Sequence, residues 1–297
     1  MYRILIWGCG LFYGRYINAI KYQEISGSIK IIGVTDQNSL YTKLDGYSFI
    51  NISEIDINMI DYVVVTSDRY FVEISMEAKR IGFVEESIIS ASVFSIPGFC
   101  FKNYVELLHS KVSIIANNCW GGCAYHELRM KFGSPFINMF ERDLDYIKLL
   151  KNLKYYLSLQ LKFKKYAYND ELKINYPVCM LDDVELYFNH YSSLEDVERK
   201  WYERVNRINW DNLFIMMFTE DEKVLEIFDS LDYPKKVCFV PFKSDYQSAF
   251  FMQIVKNKEM YNIPFYDVVN KTVKGFFYDY DLIKLLSIGV VNHDRIR

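Results

Sequence analysis

The sequence lacks an excess of basic residues. Of its 297 residues, 35 are lysine or arginine and 38 are aspartate or glutamate, for a formal net charge of −3. Proteins that cover nucleic acid broadly carry basic domains, because they must neutralise phosphates. The balance therefore predicts that nucleic acid is not a partner. It leaves open a small basic pocket for one phosphate-bearing ligand.

Long apolar runs are also missing. No segment reaches the roughly 18 consecutive apolar residues that a membrane-spanning helix needs. The apolar start Met1–Trp7 is too short for the core of a secretory signal, and it runs directly into glycines. We therefore expect a soluble, cytoplasmic protein without a membrane span.

The cysteines do not form the CxxC pairs of a structural zinc site. In a reducing compartment, scattered cysteines remain free thiols. The sequence therefore predicts no metal site, and it names no cofactor and no oligomeric state. The six cysteines are Cys9, Cys100, Cys119, Cys123, Cys179 and Cys238.

Short apolar runs alternate with segments of helical period along most of the chain, which predicts parallel sheets with helices on their faces. The length favours two domains. We place a Rossmann-like sheet in residues 1–108 and a second α/β domain in residues 109–297. The fold class is therefore α/β, with two α/β domains. Further elements predicted in the second domain are a long helix over 143–163, a strand-turn-strand over 178–191 and a charged helix over 193–208.

A glycine motif follows the first predicted strand and opens a helix. Gly8, Gly10 and Gly14 stand where a dinucleotide-binding fold needs a tight turn, a close approach of the backbone to phosphate, and a helix N-terminus. Asp36 ends the next strand, where an acid would bind a ribose hydroxyl. Gly14 comes one residue later than in the usual pattern. Two interpretations stay open: a nucleotide-binding unit, including an NAD-linked one, or a related fold that has lost its ligand.

Residues 1–95 also resemble small Rossmann-like modules that are attached to sugar-modifying enzymes. The resemblance rests on the glycine-ended first strand and on the segments 46–51, 61–67 and 70–74. It implies a fold more than it implies a ligand.

A second motif, Asn117–Gly122, lies between a predicted strand and a helix predicted from Cys123 to Met130. Backbone N–H groups at such a turn bind anions and lower the pKa of a cysteine. We consider a phosphate or sugar cradle, a Cys119 nucleophile with His126 or His190 as its base, and a tight turn that buries an inert cysteine. The candidate substrate-binding residues here are Asn117, Asn118, Trp120, Gly121 and Gly122.

A third motif, Leu181–Tyr191, carries paired acids. In a strand, Asp183 and Glu185 would share one face and could hold a divalent metal on a diphosphate, or Asp183 could act as a base. His190 ends the run as a further catalytic candidate. The competing interpretation is the solvated face of an amphipathic strand.

In the charged helix, Lys200, Arg204 and Arg207 are spaced to lie on one face. A row of cations suits phosphate groups, so Arg204 and Arg207 are candidate substrate-binding residues. Ion pairs with the acids of the same helix explain such a row equally well.

The second part of the chain resembles an uncharacterised bacterial family, a domain of unknown function whose members are often labelled exopolysaccharide biosynthesis proteins. The similarity covers roughly 112–245 and implies an α/β domain associated with surface polysaccharide. The motifs that carry it, in order, are Asn117–Gly122, Tyr125, Ser134–Phe136, Asn152–Tyr156, Tyr176–Val178, Asp182–Glu185, His190–Tyr191, Lys200–Trp201, Arg204, Arg207 and Asn209–Leu213.

These observations lead us to expect a small-molecule ligand, a nucleotide or an activated sugar. The first hypothesis is a transferase of sugar or polysaccharide precursors. The second is a non-catalytic nucleotide- or sugar-binding scaffold or regulator. The third is an NAD(P)-dependent oxidoreductase, although the second domain shows no pair of residues suited to hydride transfer.

Overall fold

A computed structural model of the chain describes residues 1–37, 42–170, 172–252, 264–273 and 280–289. The chain divides into two compact units, Met1–His109 and Ser110–Arg297. Within the described residues, no helix is long and apolar enough to cross a membrane.

The first unit alternates strands and helices. Short 3-10 helices at Ile52–Glu54, Ile57–Met59, Glu85–Ser87 and Ala91–Ser95 connect them. The main elements are β1 (Tyr2–Trp7), α1 (Tyr13–Ile25), β2 (Ile29–Thr35), β3 (Lys43–Leu44), β4 (Tyr47–Ser48), β5 (Tyr62–Val65), α2 (Phe71–Arg80), β6 (Ile88–Ser90) and α3 (Phe101–Ser110).

The sheet of this unit has the order β2-β1-β5-β6, and every neighbouring pair is parallel. On one face, Leu5 and Trp7 of β1 pack with Ala78 of α2. The alternate residues Ile4 and Ile6 are fully buried as well. Because both faces are covered, the Ile4–Trp7 part of β1 is a continuous apolar run without the alternation of a half-exposed strand.

The second unit contains the remaining elements. They are β7 (Ser113–Ala116), α4 (Trp120–Glu127), α5 (Asp143–Lys151), α6 (Leu153–Ser158), β8 (Lys162–Asn169), β9 (Ile174–Leu181), β10 (Val184–Tyr187), α7 (Leu194–Val205), β11 (Leu213–Phe218), α8 (Glu222–Asp229), β12 (Lys236–Val240), β13 (Ala249–Phe251), α9 (Phe265–Thr272) and α10 (Leu282–Ile288).

Four of these strands form a parallel sheet in the order β13-β12-β11-β7, and three form an antiparallel sheet in the order β10-β9-β8. Tyr146 of α5 is fully buried against the parallel sheet. Its hydroxyl lies 2.8 Å from the carbonyl oxygen of Ile115 and 2.9 Å from that of Met216. Parallel strands end at one edge, so the residues that follow β7, β11 and β12 come together there. The predicted α/β class with two α/β domains is confirmed.

The predicted long helix over 143–163 is wrong. The helix ends at Lys151, because Asn152 leaves the helical conformation with φ −146° and ψ 54°. A short second helix ends at Ser158, and β8 begins at Lys162. Nearly all of β8 is exposed. It therefore has no apolar period, and only its pairing with β9 identifies it as a strand.

Two other predictions for this unit are confirmed. The strand-turn-strand over 178–191 is the antiparallel hairpin of β9 and β10. The charged helix over 193–208 is α7, and the side chain of Ser193 caps its N-terminus by accepting a hydrogen bond from the N–H of Asp196.

Candidate functional site

The glycine motif of the first unit forms the turn between β1 and α1. Gly8 has a φ of +108°, and a Cβ atom at this position would lie 2.8 Å from the Thr66 hydroxyl oxygen. That hydroxyl donates a hydrogen bond of 2.5 Å to the Gly8 carbonyl. Gly8 is therefore needed for the turn itself and for the close approach of Thr66.

Gly10 and Gly14 are less constrained. A Cβ atom at either position would meet no other atom within 4 Å. Gly14 lies in the first turn of α1 and is exposed. Close packing of α1 against the sheet therefore does not explain why this position is a glycine.

Asp36 follows β2 and lies against the glycine turn, as the spacing predicts. Its carboxylate accepts a hydrogen bond of 2.6 Å from the backbone N–H of Cys9. One oxygen of the carboxylate that would bind a ribose hydroxyl is therefore already bonded to the backbone of the glycine turn.

In the second unit, the helix after β7 begins three residues earlier than predicted. Cys119 is its N-cap residue, and Gly121 and Gly122 lie within α4 instead of in a loop. A Cβ atom on Gly121 would lie 3.2 Å from Ile114, and one on Gly122 would lie 3.3 Å from Ile137. Gly121 lets α4 pack closely against β7, and Gly122 lets it pack against the segment that contains Ile137. The sequence predicted instead that Gly121 and Gly122 expose backbone to a ligand.

Most polar groups of the Asn117–Trp120 segment are bonded within the protein. Asn117 bridges to β11, accepting from the N–H of Phe218 at 3.2 Å and donating to its carbonyl at 3.1 Å. Asn118 caps α4 by accepting from the N–H of Trp120 at 3.0 Å. The indole of Trp120 donates to the Tyr280 hydroxyl at 2.9 Å. The Nδ2 group of Asn118 is the exception: it is buried and bonds to no described residue.

Cys119 does not have the environment of an activated nucleophile. Burial, with smaller contributions from Cys123 and Glu141, raises the pKa of its thiol to about 12. A thiolate nucleophile needs the opposite shift. His126 is exposed seven residues later, about 10 Å along the helix. His190 is exposed too. The geometry favours a half-buried thiol over a cysteine–histidine pair.

Asp183 lies in the two-residue turn between β9 and β10, not within a strand. Its exposed carboxylate pairs with Lys148 at 2.9 Å and accepts from the Tyr156 hydroxyl at 2.9 Å. The Lys148 ammonium, with that hydroxyl, lowers the pKa of Asp183. These contacts favour the interpretation of a solvated ion pair that holds the hairpin against α5 and α6.

Glu185, the second acid of that motif, lies on β10. It pairs with Lys164 and accepts from the Tyr187 hydroxyl, and these partners lower its pKa. Among the residues that the structure describes, no group of three or more His, Cys, Asp or Glu side chains is arranged to hold a metal ion.

The predicted row of cations on α7 separates into three environments. Lys200 pairs with Asp196 at 2.6 Å. Arg207 lies beyond the end of α7 and pairs with Glu203. Arg204 is buried, donates to the Tyr191 hydroxyl at 2.7 Å and lies over the Phe132 ring at 5.0 Å.

Arg204 differs from its neighbours in its charge balance. Within the described part of the chain, no carboxylate lies within 4.0 Å of its guanidinium. Tyr191, its hydrogen-bond partner, donates to the Ile137 carbonyl at 2.9 Å. Lys200 lies 5.2 Å from the centre of the Tyr191 ring. Arg204 is thus a buried cation whose contacts are a hydroxyl and an aromatic ring.

The sequence prediction missed Glu141. This residue is 4% exposed, and neither carboxylate oxygen has a hydrogen-bond partner among the described residues. Burial, with the neighbouring Asp145, raises its pKa well above the ordinary value of 4.5. Glu141 directly follows the segment Pro135–Phe140, which is apolar except for Asn138. An acid placed there, outside any periodic helix or strand, was the only sequence signal.

These features identify the carboxyl end of β7 as the candidate site. The N–H of Glu141 donates to the Asn117 carbonyl at 3.2 Å, so the two segments lie side by side. Cys119 is close enough to Glu141 and to Tyr191 for their charges to interact. Tyr191 in turn accepts a hydrogen bond from Arg204. The structure therefore places Asn117, Asn118 and Cys119 beside Glu141, and Tyr191 links Cys119 to Arg204. It leaves Asp183 about 13 Å along β10 from Tyr187, whose backbone pairs with Phe140.

Two known proteins show similarity to this chain, one in sequence and one in structure. An uncharacterized protein of Haemophilus influenzae is 34% identical over 153 residues, which is 50% of this chain and 71% of that protein. A crystal structure of aspartate semialdehyde dehydrogenase II from Vibrio cholerae covers 86% of this chain and 84% of its own, with 9% identity and a TM-score of 0.24. That score is too low to support any inference.

Two family models match the chain. Residues 1–89 match the model described as C2185-like, N-terminal. Residues 91–287 match a domain of unknown function, DUF1919. The second match spans more than half of the chain and includes every residue of the candidate site, so the chain belongs to the DUF1919 family.

Proposed function

We propose that this protein is an enzyme of surface or exopolysaccharide biosynthesis, a transferase that acts on an activated sugar or polysaccharide precursor. The observation that carries the proposal is Arg204, a buried guanidinium with no carboxylate partner in the described part of the chain. A guanidinium has five N–H donors, and Arg204 uses one of them on Tyr191.

A buried cation is costly to keep unless an anion compensates it. Phosphate groups fit this requirement, because a guanidinium binds two phosphate oxygens at once through parallel hydrogen bonds. Lys200 stands one helical turn before Arg204, but its charge is already paired with Asp196, so the assignment rests on Arg204. A diphosphate, the activating group of most sugar donors, is therefore the ligand that we assign to Arg204.

The first unit supports the proposal as context. A nucleotide-binding module of Rossmann type fits its parallel sheet and the glycine turn before α1. Since Asp36 already bonds Cys9, we place the sugar-transfer chemistry in the second unit. The exposed Asp183 and His190 then lie outside the reacting centre, and Cys119 serves as a wall of the site instead of as its nucleophile.

The test is ligand-dependent thermal stability of the full chain. Inorganic pyrophosphate and a panel of nucleotide sugars are expected to raise the melting temperature of the wild type. Arg204→Gln is expected to abolish the pyrophosphate-dependent shift, whereas Arg204→Lys retains part of it. Arg199→Gln is the matched control, because Arg199 is an exposed cation on the same helix, paired with Asp196.

Equal pyrophosphate shifts in the wild type and in Arg204→Gln would contradict the proposal. Stabilisation by NAD(P) alone would favour an oxidoreductase centred on Gly8–Gly14. A protein that responds to no nucleotide, sugar or pyrophosphate would favour a non-catalytic scaffold.

A further inference from the structure

Two buried polar groups remain without partners at the carboxyl end of β7. Both carboxylate oxygens of Glu141 and the amide Nδ2 of Asn118 bond to no described residue, and the two side chains are 4% and 5% exposed. They stand on neighbouring segments, joined by the hydrogen bond from the Glu141 N–H to the Asn117 carbonyl. Buried polar groups in native proteins are nearly always bonded, so a pair of exceptions at one place needs an explanation.

A nearby carboxylate shows the usual solution. Asp143, two residues after Glu141, accepts a hydrogen bond of 2.6 Å from the Thr219 hydroxyl. Glu141 has no such neighbour. The titratable groups that face it are Asp145, Cys119 and the Tyr146 hydroxyl, none of which is a cation. Ion pairing within the described residues therefore does not account for this carboxyl group.

We propose that Glu141 and Asn118 form a neutral polar pocket that binds a hydroxyl-bearing group of the ligand, the sugar ring of an activated sugar. The carboxyl group donates one hydrogen bond and accepts another, and the amide donates a third. A sugar ring offers several hydroxyls, each of which can donate and accept. The half-buried Cys119 follows Asn118 in the chain and is close enough to Glu141 for their charges to interact.

Other ligand groups fit the pocket less well. An anion would be repelled by Asp145, which lies close enough to Glu141 to oppose its ionisation. A metal ion needs several hard ligands, and the described residues supply no such group. A neutral hydroxyl matches a carboxyl group whose ionised form is disfavoured by burial.

This inference rests on the proposed function, because it divides the ligand between two sub-sites. Arg204 would hold the diphosphate, while Glu141 and Asn118 would hold the sugar. Tyr191 and Cys119 connect the two sub-sites. Tyr191 accepts a hydrogen bond from Arg204, and it is close enough to Cys119 for their charges to interact.

The experiment compares each nucleotide sugar with its own nucleoside diphosphate by titration calorimetry, using UDP-glucose with UDP and GDP-mannose with GDP. In the wild type, at least one nucleotide sugar is expected to bind about ten-fold more tightly than its diphosphate, as one or two additional hydrogen bonds would give. In Glu141→Leu this ratio is expected to fall to about one, with the affinity for the diphosphate unchanged. Glu226→Gln, which changes an exposed glutamate of α8, is expected to retain the wild-type ratio.

Infrared difference spectra provide a readout that does not depend on affinity. Wild type minus Glu141→Gln at neutral pH is expected to show the carbonyl band of a protonated carboxyl group, and UDP-glucose or GDP-mannose is expected to shift that band without removing it. Absence of the band in the free protein would overturn the proposal. So would its loss on binding, which would mean that Glu141 pairs with a cation.

The two proposals fail in different ways. If pyrophosphate and the diphosphates bind but the sugar adds nothing in the wild type, or if Glu141→Leu keeps the sugar-dependent gain, the pocket is wrong and the Arg204 site stands. If pyrophosphate does not bind while free glucose or mannose still shifts the infrared band, the Arg204 site is wrong and the pocket stands.

Discussion

Each unit of this chain has a turn between its first parallel strand and the helix that follows, and the two turns use their polar groups differently. In the first unit, Asp36 bonds the N–H of Cys9 and Thr66 bonds the carbonyl of Gly8. Among the described residues of the first unit, the one buried side-chain group without a partner is the neutral hydroxyl of Thr35. In the second unit, the amide Nδ2 of Asn118 in the turn and the carboxyl group of Glu141 on the adjoining segment have no partner among the described residues.

The difference shows that two turns of the same architecture need not both have polar groups left to bind a ligand. A turn whose charged group is bonded to the backbone is stable without any ligand. A turn that lies beside a buried carboxyl group without a partner gives up stability, and such groups concentrate at functional sites. The glycine motif is easier to recognise in the sequence, yet the turn after β7 is the stronger candidate for chemistry.

The largest effect on the free energy of unfolding is expected when the two asparagines of the second turn are substituted one at a time. Asn117→Ala removes both bonds to Phe218 and leaves the N–H and the carbonyl of Phe218 without these partners, so it should lower the free energy of unfolding by about 3 kcal/mol. Asn118→Ala removes one helix cap, worth about 1 kcal/mol. Chemical denaturation, with hydrogen exchange to localise the loss to the second unit, measures both. Equal losses of stability would contradict the distinction between Asn117, which holds the fold, and Asn118, whose amide Nδ2 is left for a ligand.

The next effect concerns the first turn. Gly8→Ala places a Cβ atom at φ +108° and 2.8 Å from the Thr66 oxygen, and we expect a loss of about 2 kcal/mol. Gly14→Ala is the matched control. It adds a methyl group in open space within a helix, so it should stabilise the first unit by up to about 1 kcal/mol. Hydrogen exchange of α1 and β1 in both variants measures the difference. A destabilising Gly14→Ala would show that this glycine has a packing role after all.

The last and most gradual effect is a dependence of stability on pH that arises from Glu141. Its pKa is raised in the folded protein, so the folded state holds the proton more tightly than the unfolded state. This contribution is fully present below pH 4.5 and is lost as the pH rises towards the folded pKa, with a slope of up to about 1.4 kcal/mol per pH unit. Glu141→Gln should flatten this dependence. Denaturation midpoints between pH 5 and pH 8 measure it, and parallel curves for the two proteins would mean that Glu141 is not buried as described.

The sequence determined the parts of the fold that local patterns encode. Apolar runs such as Tyr62–Val65 and Leu213–Phe218, separated by helical periods, require parallel strands with both faces covered. The glycine turn and Asp36 were placed correctly beside each other for the same reason, since strand order and short connections leave little freedom. The hairpin of β9 and β10 follows similarly from apolar residues on both sides of the two acids Asp182 and Asp183.

Only the tertiary structure decided which polar residues are without partners. Arg204 and Arg207 look alike on a helical wheel, but Arg207 meets Glu203 while Arg204 is enclosed by Tyr191 and Phe132. Glu141 lies in a segment without period, and its burial follows from contact with the end of β7. Burial and hydrogen bonding depend on segments that are distant in the chain, and local periodicity carries no information about them.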